Sequence, residues 1–340
     1  MHAIVPFFAH EKWFLEGELP GLTLWRATEP LPLSLILAVV IASTLGWALF
    51  VSRDRRPLLP GPEQFGATQE SLAIFYGFVP FILGIHTAVP LLVCGVNGEW
   101  LSPNNDLEGW SKYVLGLMQT GIALSLFYGG FTRLAAVLLG IVWLAGGFCF
   151  GIEQMLENCH FLGLAVFFWL CGRGPWSIDR LLFPAFEPSP GLQRHALQAA
   201  RIGLGISLIA VAFTEKLGNP ALAEKFLEVH RLNFTPLFGI PLSNYLFAMC
   251  AGAVELLVGL WLTFGIFIRL IIVIAWFPFN LTLTHFNWVE LIGHLPFYGL
   301  MAVLLVWDPK QHEESLLTGL RGRPAKFRDH PVYSDRRTHP

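Results

Sequence analysis

Apolar segments of membrane-spanning length recur along most of the chain. A helix that crosses about 30 Å of hydrocarbon needs roughly 20 apolar residues. Nine segments approach this length, at about 31–51, 72–94, 112–129, 131–151, 160–172, 198–214, 243–263, 266–286 and 289–307. The pattern predicts an all-α, polytopic membrane protein with about nine transmembrane helices, of which the fifth is the shortest.

Within these segments, one pattern occurs twice at a separation of about 136 residues. The first copy contains Gly116, Gln119, Gly129 and Arg133, and the second contains Gly252, Glu255, Gly265 and Arg269. At the same offset, Phe161, Gly163 and Leu164 match Phe297, Gly299 and Leu300. These matches predict two tandem four-helix bundles of the same orientation, preceded by one N-terminal helix.

The repeat and the local composition together predict the boundaries of the parts. Residues 1–60 hold an outer amino-terminal segment and the lead transmembrane helix, and residues 61–182 hold the first, divergent unit. The stretch 183–197 is polar and rich in proline, as expected for a linker. Residues 198–308 form the second unit, and residues 309–340 form a basic tail.

Composition indicates a membrane protein and gives no support to a nucleic-acid-binding protein. The chain is 54% hydrophobic and only 14% charged, with a mean hydropathy of +0.57. So few charges cannot cover the surface of a soluble protein of this size, so the lipid bilayer is the predicted partner. The formal net charge of −2 gives no electrostatic basis for binding nucleic acid.

Basic residues concentrate in alternate loops of the nine-helix arrangement. They follow the first and fifth segments, occupy the tight turns at Arg133 and Arg269, and fill the carboxyl-terminal tail. Cytoplasmic loops of membrane proteins carry an excess of such residues. We therefore expect a multi-pass protein of a bacterial-type inner membrane, with a periplasmic amino terminus and a cytoplasmic carboxyl terminus.

Glu255 is the acidic residue that the repeat places near the middle of a span. A charged carboxylate at that depth costs roughly 2.5–3.5 kcal/mol or more unless it is protonated or paired. The side chain must therefore face the interior of the bundle. Two interpretations remain open: a group that accepts a proton or binds a ligand, and a structural hydrogen bond that locks helices together. The first unit carries Gln119 at the matching position, which cannot titrate.

A second polar group is predicted at the outer end of the second unit. Glu290 and His294 lie one helical turn apart and share a face. The ends of neighbouring spans add further polar and aromatic residues, namely Glu215, Lys216, His285, Asn280, Phe279 and Trp288. The candidate catalytic residues are Glu255, His294, Glu290 and His285. The candidate ligand-binding residues are Glu215, Lys216, Asn280, Phe279 and Trp288.

Three chemistries fit this group of residues. Histidine and carboxylate side chains can bond the carbonyls of a quinone between aromatic walls and exchange its protons. They can also bind a metal such as Cu, Fe or Zn, although the sequence does not define a metal. A polar cap wetted by water is the third interpretation. His2 and His10 could be ligands on the outer side, but we expect ordinary surface roles for them. No covalent cofactor or nucleotide motif occurs.

The second unit resembles the DoxX/DoxD-like family of integral membrane proteins. The resemblance rests on Arg201, Phe213-Thr214-Glu215-Lys216-Leu217, Asn219-Pro220, Val254-Glu255, Gly265 and Arg269. It covers about 110 residues and implies a four-helix membrane bundle with an acid in its third helix. It also implies an association with quinone-linked oxidation, because some members look like subunits of a thiosulfate:quinone oxidoreductase or of a terminal-oxidase complex.

The resemblance and the polar residues together suggest a membrane subunit or partner of a quinone-linked oxidoreductase. Quinone is the expected cofactor, other subunits of a membrane redox complex are the expected partners, and His294 is the expected proton-exchanging residue. One alternative is an accessory subunit that has no chemistry of its own. Another is a transporter for a small molecule or ion, although the first unit lacks an equivalent titratable group at the midplane.

Overall fold

The computed structural model describes residues 10–15, 17–183 and 189–322. His2, residues 184–188 of the predicted linker and residues 323–340 of the predicted basic tail lie outside this described part. Within it, the chain is helical and contains no strand, and an isolated bridge joins Glu99 to Asp106. The all-α prediction is therefore confirmed.

The first half of the chain contains the lead helix and the first unit. Its helices are α1 (Pro30–Ser52), α2 (Gln69–Asn97), α3 (Gly109–Tyr128), α4 (Thr132–Cys149), α5 (Ile152–Glu157), α6 (Cys159–Cys171) and α7 (Ile178–Leu182). The second half contains α8 (Pro190–Gln193), α9 (Ala196–Val211), α10 (Pro220–His230), α11 (Asn244–Phe264), α12 (Ile268–Val306) and α13 (Glu313–Leu320). A π-helical turn at Ala212–Leu217 extends α9.

Several of these helices are long and apolar enough to cross a bilayer. In the described residues there are six, at Pro30–Ser52, Gln69–Asn97, Thr132–Cys149, Pro190–Leu217, Asn244–Phe264 and Trp288–Val306. Two shorter apolar helices lie at Cys159–Cys171 and Ile268–Asn280. The structure thus supports a multi-pass membrane protein, while the count of nine spans remains a prediction.

Helix α12 corresponds to the last two predicted spans, and its helical hydrogen bonding continues where a loop was expected. A straight helix of its 39 residues would be about 58 Å long and would hold its ends far apart. Arg269, near its start, nevertheless donates to the carbonyls of Leu305 and Val306 at 3.1 and 3.2 Å. The Tyr298 hydroxyl likewise donates to the Phe279 carbonyl at 2.8 Å. The chain therefore reverses within α12, and its two arms pack antiparallel.

The repeated turn of the sequence has the same backbone conformation in both units. Gly129 and Gly265 end α3 and α11 with φ of +69° and +73°. Two residues later, Phe131 and Phe267 also adopt left-handed conformations, with φ of +53° and +41°. Non-glycine residues rarely adopt this region, so its recurrence at matched positions supports a duplicated fold.

An arginine caps the same carbonyls in both units. Arg173 donates to the carbonyls of residues 126 and 127 at the end of α3, at 2.8 and 3.0 Å. Arg201 donates to the carbonyls of residues 262 and 263 at the end of α11. The last carbonyls of a helix have no partner within it and carry partial negative charge, so a cation there is favourable. The two arginines come from different elements, one after α6 and one within α9.

Glycine pairs bring the main helices close together. A Cβ atom added to Gly203 of α9 would lie 2.7 Å from the Cα atom of Gly163 in α6. Within the second unit, a Cβ atom on Gly205 would lie 2.7 Å from the carbonyl oxygen of Gly259 in α11. Small residues allow such close backbone contact, which supplies the packing that stabilises helices in a bilayer. The α6–α9 contact joins the two units.

Replacing Gly203 with alanine should therefore destabilise the protein, because the methyl group meets only backbone atoms. The expected cost is about 1–3 kcal/mol. Gly140→Ala is the matched control, since a Cβ atom there meets nothing within 4 Å and alanine favours helix. Thermal unfolding in detergent measures both variants. Equal stability of Gly203→Ala and the wild type would contradict the close packing of the two units.

Candidate functional site

The amino-terminal segment at residues 10–15 inserts between the two units. His10 and Glu11 are only 5% and 3% exposed. The Trp13 indole donates to the Asn104 side chain of the first unit at 3.0 Å. On the other side, His230 of α10 bonds the Phe14 carbonyl at 2.9 Å. The surface role expected for His10 is therefore wrong, because the segment buries this side chain.

Lys216 lies between two buried carboxylates. Its ammonium nitrogen is 3.2 Å from Oε2 of Glu255 and 3.5 Å from Oε1 of Glu11. All three residues are at most 3% exposed. The acid predicted from the repeat does face the interior, and it is paired with a cation rather than alone. This ion pair favours the structural interpretation of Glu255 without removing its capacity to bind a proton.

The π-helical turn after α9 presents both Glu215 and Lys216 to the interior. A π turn accommodates an extra residue and is frequent at functional sites. Oε2 of Glu215 accepts the backbone N–H of Glu11 at 2.7 Å, and its Oε1 lies 3.5 Å from Nδ1 of His10. The second unit thereby holds the amino-terminal segment through neighbouring side chains of opposite charge.

A further ion pair connects the segment to the first unit. Lys12 donates to Oε1 of Glu157, which ends α5 and is 2% exposed. Burial raises the pKa of Glu157 although Lys12 opposes the shift. Burial also raises the pKa of Glu11, to about 8, against the effect of Lys216. Both carboxyls lie outside the membrane-spanning helices.

We call the full set the acidic cluster: Glu11, Glu157, Glu215, Glu255 and Glu290, with Lys12 and Lys216. Five buried carboxylates face two lysines, so complete ionisation would leave three negative charges uncompensated. Burying unpaired charge is very costly. The cluster must therefore hold protons or a cation.

Histidine and aromatic rings pack beside the acidic cluster. The His10 ring stacks on Trp13 at 4.2 Å and on His294 at 5.4 Å. Phe279 meets His294 edge-on at 5.1 Å. Nδ1 of His294 is 3.4 Å from Oε2 of Glu290, and neither carboxylate oxygen of Glu290 has a hydrogen bond within the described part of the chain. The predicted proximity of Glu290, His294 and Phe279 is thus present.

His160 reaches the same region from the first unit. Its backbone N–H donates to the Ser207 hydroxyl oxygen at 2.8 Å, and its Nδ1 lies 3.2 Å from that oxygen. Its Nε2 atom is buried and has no partner among the described residues. No local pattern identifies this residue, because its surroundings depend on α9.

A cavity of about 150 Å³ lies next to His160. Its lining includes Trp13, Asn158, Phe161, Trp288 and Gly293. Trp288, one of the predicted ligand-binding residues, is 73% exposed and forms part of the rim. The cavity therefore combines aromatic walls, His160 in its lining and an edge at the exposed Trp288.

Two other predicted residues lie elsewhere. His285 packs on Phe286 at 4.7 Å and meets His230 edge-on at 6.0 Å. Asn280 donates to the Trp276 carbonyl of its own helix at 2.7 Å. The predicted grouping thus holds for Glu215, Glu290 and His294, which connect through His10, whereas His285 and Asn280 have other neighbours.

The first unit uses its matching amide for structure. Gln119 accepts the N–H of Leu101 at 3.1 Å and donates to the carbonyls of Leu91 and Glu99 at 3.1 and 3.2 Å. These bonds fix the loop between α2 and α3. The amide is thereby satisfied without an ion pair, which explains why only the second unit carries buried charge at this position.

Comparison with protein-family models, curated proteins and solved structures finds no match for the chain. The resemblance to DoxX/DoxD-like proteins therefore remains an interpretation of the motifs.

Replacing Lys216 with methionine should strongly destabilise the protein, because Glu11 and Glu255 would lose their shared cation. Breaking a buried pair from one side costs about 3–5 kcal/mol. The double variant Lys216→Met with Glu255→Gln should recover part of that loss. Lys225→Met is the control, since this lysine bonds the Glu18 carbonyl in an exposed position. Thermal unfolding in detergent measures all variants, and an unchanged Lys216→Met protein would contradict the pairing.

Proposed function

We propose that this protein is an integral membrane subunit of a quinone-linked oxidoreductase, and that the cavity beside His160 holds the quinone headgroup. The observation that carries the proposal is the unpartnered Nε2 atom of His160 beside an aromatic cavity. The proposal includes nine spans in two tandem DoxX-like units within a bacterial-type inner membrane. It also places the amino terminus in the periplasm and the carboxyl terminus in the cytoplasm.

The hydrogen bonds of His160 support a carbonyl ligand. The Ser207 oxygen accepts the His160 backbone N–H, so its hydroxyl hydrogen is free to donate to Nδ1. If the hydroxyl donates in this way, the neutral imidazole carries its proton on Nε2, which has no acceptor among the described residues. A quinone carbonyl would supply the missing acceptor, and the tryptophan rings would hold the flat ring.

The neighbouring groups support proton exchange at this cavity. Reduction of a quinone to a quinol consumes two electrons and two protons. His160 and His294 both contact the Phe297 ring, at 4.7 and 5.3 Å, and Nδ1 of His294 is 3.4 Å from Oε2 of Glu290. We assign proton delivery to His294, with the acidic cluster as the reservoir. The electrons come from another subunit or a soluble donor, because the sequence carries no covalent cofactor motif.

A transporter role has less support. Parallel repeats that move a solute are expected to carry equivalent polar groups at the midplane. In the first unit, both polar ends of Gln119 bond the backbone of its own outer loop and of α2. The main alternative is an accessory subunit that has no chemistry of its own. A measurement of quinone binding distinguishes the two roles, because such a subunit is not expected to bind quinone.

Replacing His160 with leucine should weaken quinone binding about tenfold, which corresponds to the roughly 1.4 kcal/mol of one good hydrogen bond. The measurement is quenching of tryptophan fluorescence by a short-chain quinone, with the full chain in lipid nanodiscs. His195→Leu is the control, since His195 is exposed and immediately precedes α9. Thermal unfolding checks that both variants fold. Absence of quinone binding in the wild type, or equal affinity in His160→Leu, would support the accessory role instead.

Replacing His294 with alanine should abolish quinone-dependent turnover of the membrane complex without preventing its assembly, because the protein would lose the group that delivers protons. Quinone reduction in membranes that contain the variant measures this effect. The control is His285→Ala, which changes a histidine that packs against Phe286 instead. Normal turnover in His294→Ala would exclude the assignment of His294.

A further inference from the structure

We propose that His10, Glu157 and Glu215 bind one divalent transition-metal ion. One ligand atom from each residue lies within 4.8 Å of the others. The three residues come from the amino-terminal segment, from α5 of the first unit and from the π-helical turn of the second unit. The metal would thus join all three parts of the molecule, and its binding does not depend on the proposed quinone.

Unpartnered atoms point to a ligand at this place. Nδ1 of His10 and Oε1 of Glu215 are buried, lie 3.5 Å apart and have no hydrogen bond to any residue that the structure describes. The residues that carry them are 5% and 0% exposed. A buried polar atom without a partner costs about 1–3 kcal/mol. A metal ion between these two atoms would satisfy both.

The excess negative charge of the acidic cluster favours a bound cation over a neutral ligand. The acidic cluster has five carboxylates and two lysines, all of them buried or nearly so. A divalent ion bound to Glu157 and Glu215 would offset two of the three uncompensated negative charges.

The surroundings already orient the three ligands. The backbone N–H of Glu11 bonds the second oxygen of Glu215 at 2.7 Å. Lys12 bonds Glu157, and the Trp13 ring stacks on His10 at 4.2 Å. Partners of this kind fix the direction of metal-binding side chains and raise affinity. The Lys12 side chain is 11% exposed, so it can move outward if an ion approaches Glu157.

The donor set selects the class of metal. One imidazole and two carboxylates suit Fe²⁺, Mn²⁺ or Zn²⁺, whereas Cu⁺ prefers sulfur ligands. Three protein ligands leave coordination positions open to water or a small molecule.

The test measures metal content of the full-length protein purified in detergent after growth with added Fe, Mn and Zn. Elemental analysis should find about one metal ion per chain, and removal with a chelator should lower the unfolding temperature, because the ion binds only the folded protein. His10→Ala and Glu215→Gln should each reduce retained metal at least about tenfold, as expected for loss of a ligand. His195→Ala, at an exposed histidine, should retain it.

His10→Ala decides the question if Glu215→Gln fails to fold, because it leaves in place the Glu11–Lys216 and Lys12–Glu157 ion pairs that hold the amino-terminal segment. Metal content below about a tenth of an equivalent in the wild type, or equal metal in His10→Ala, would overturn the proposal. His160→Leu should keep its metal. Loss of quinone binding with metal retained would therefore count against the proposed function alone, and the reverse result would count against the metal site alone.

Discussion

The position of the Lys216 ammonium between Glu11 and Glu255 is the interaction on which the rest of the site depends. It connects three elements: the amino-terminal segment, the π-helical turn and α11. In a low-dielectric interior, each of these charges would be very costly alone. The pairing therefore fixes the depth at which the segment lies, and with it the positions of His10 and Trp13. The cavity and the acidic cluster both exist only if that segment is in place.

The two units share backbone features at matched positions and have different interiors. Both units have left-handed turns at matched positions and arginines that cap matched carbonyls. Inside, the first unit satisfies Gln119 with backbone bonds, while the second unit pairs Glu255 with Lys216. A fold does not determine its chemistry, which depends on the residues placed within it. In this protein one copy contributes mainly structure, and the other supplies most of the buried charge.

The sequence allowed the helical class and the inward direction of Glu255 to be predicted, because each depends on local periodicity or on the cost of charge in lipid. It did not reveal the amino-terminal insertion. Glu11 and its partner Glu215 are 204 residues apart, and no local pattern encodes such a contact. The run His10-Glu11-Lys12 between aromatic residues was the available signal. His160 was undervalued for a similar reason, since its free nitrogen is defined by Ser207 of the other unit. The continuous helical bonding of α12 also escaped prediction, because two consecutive apolar segments of bilayer length were expected to be separated by a turn.

The most direct measurement is an electron cryomicroscopy structure of the full chain in a lipid nanodisc. The account predicts residues 10–15 between the two units, with the Lys216 ammonium at ion-pair distance from both Glu11 and Glu255. A segment that instead lies on the membrane surface, with the Glu255 side chain pointing into lipid, would contradict it.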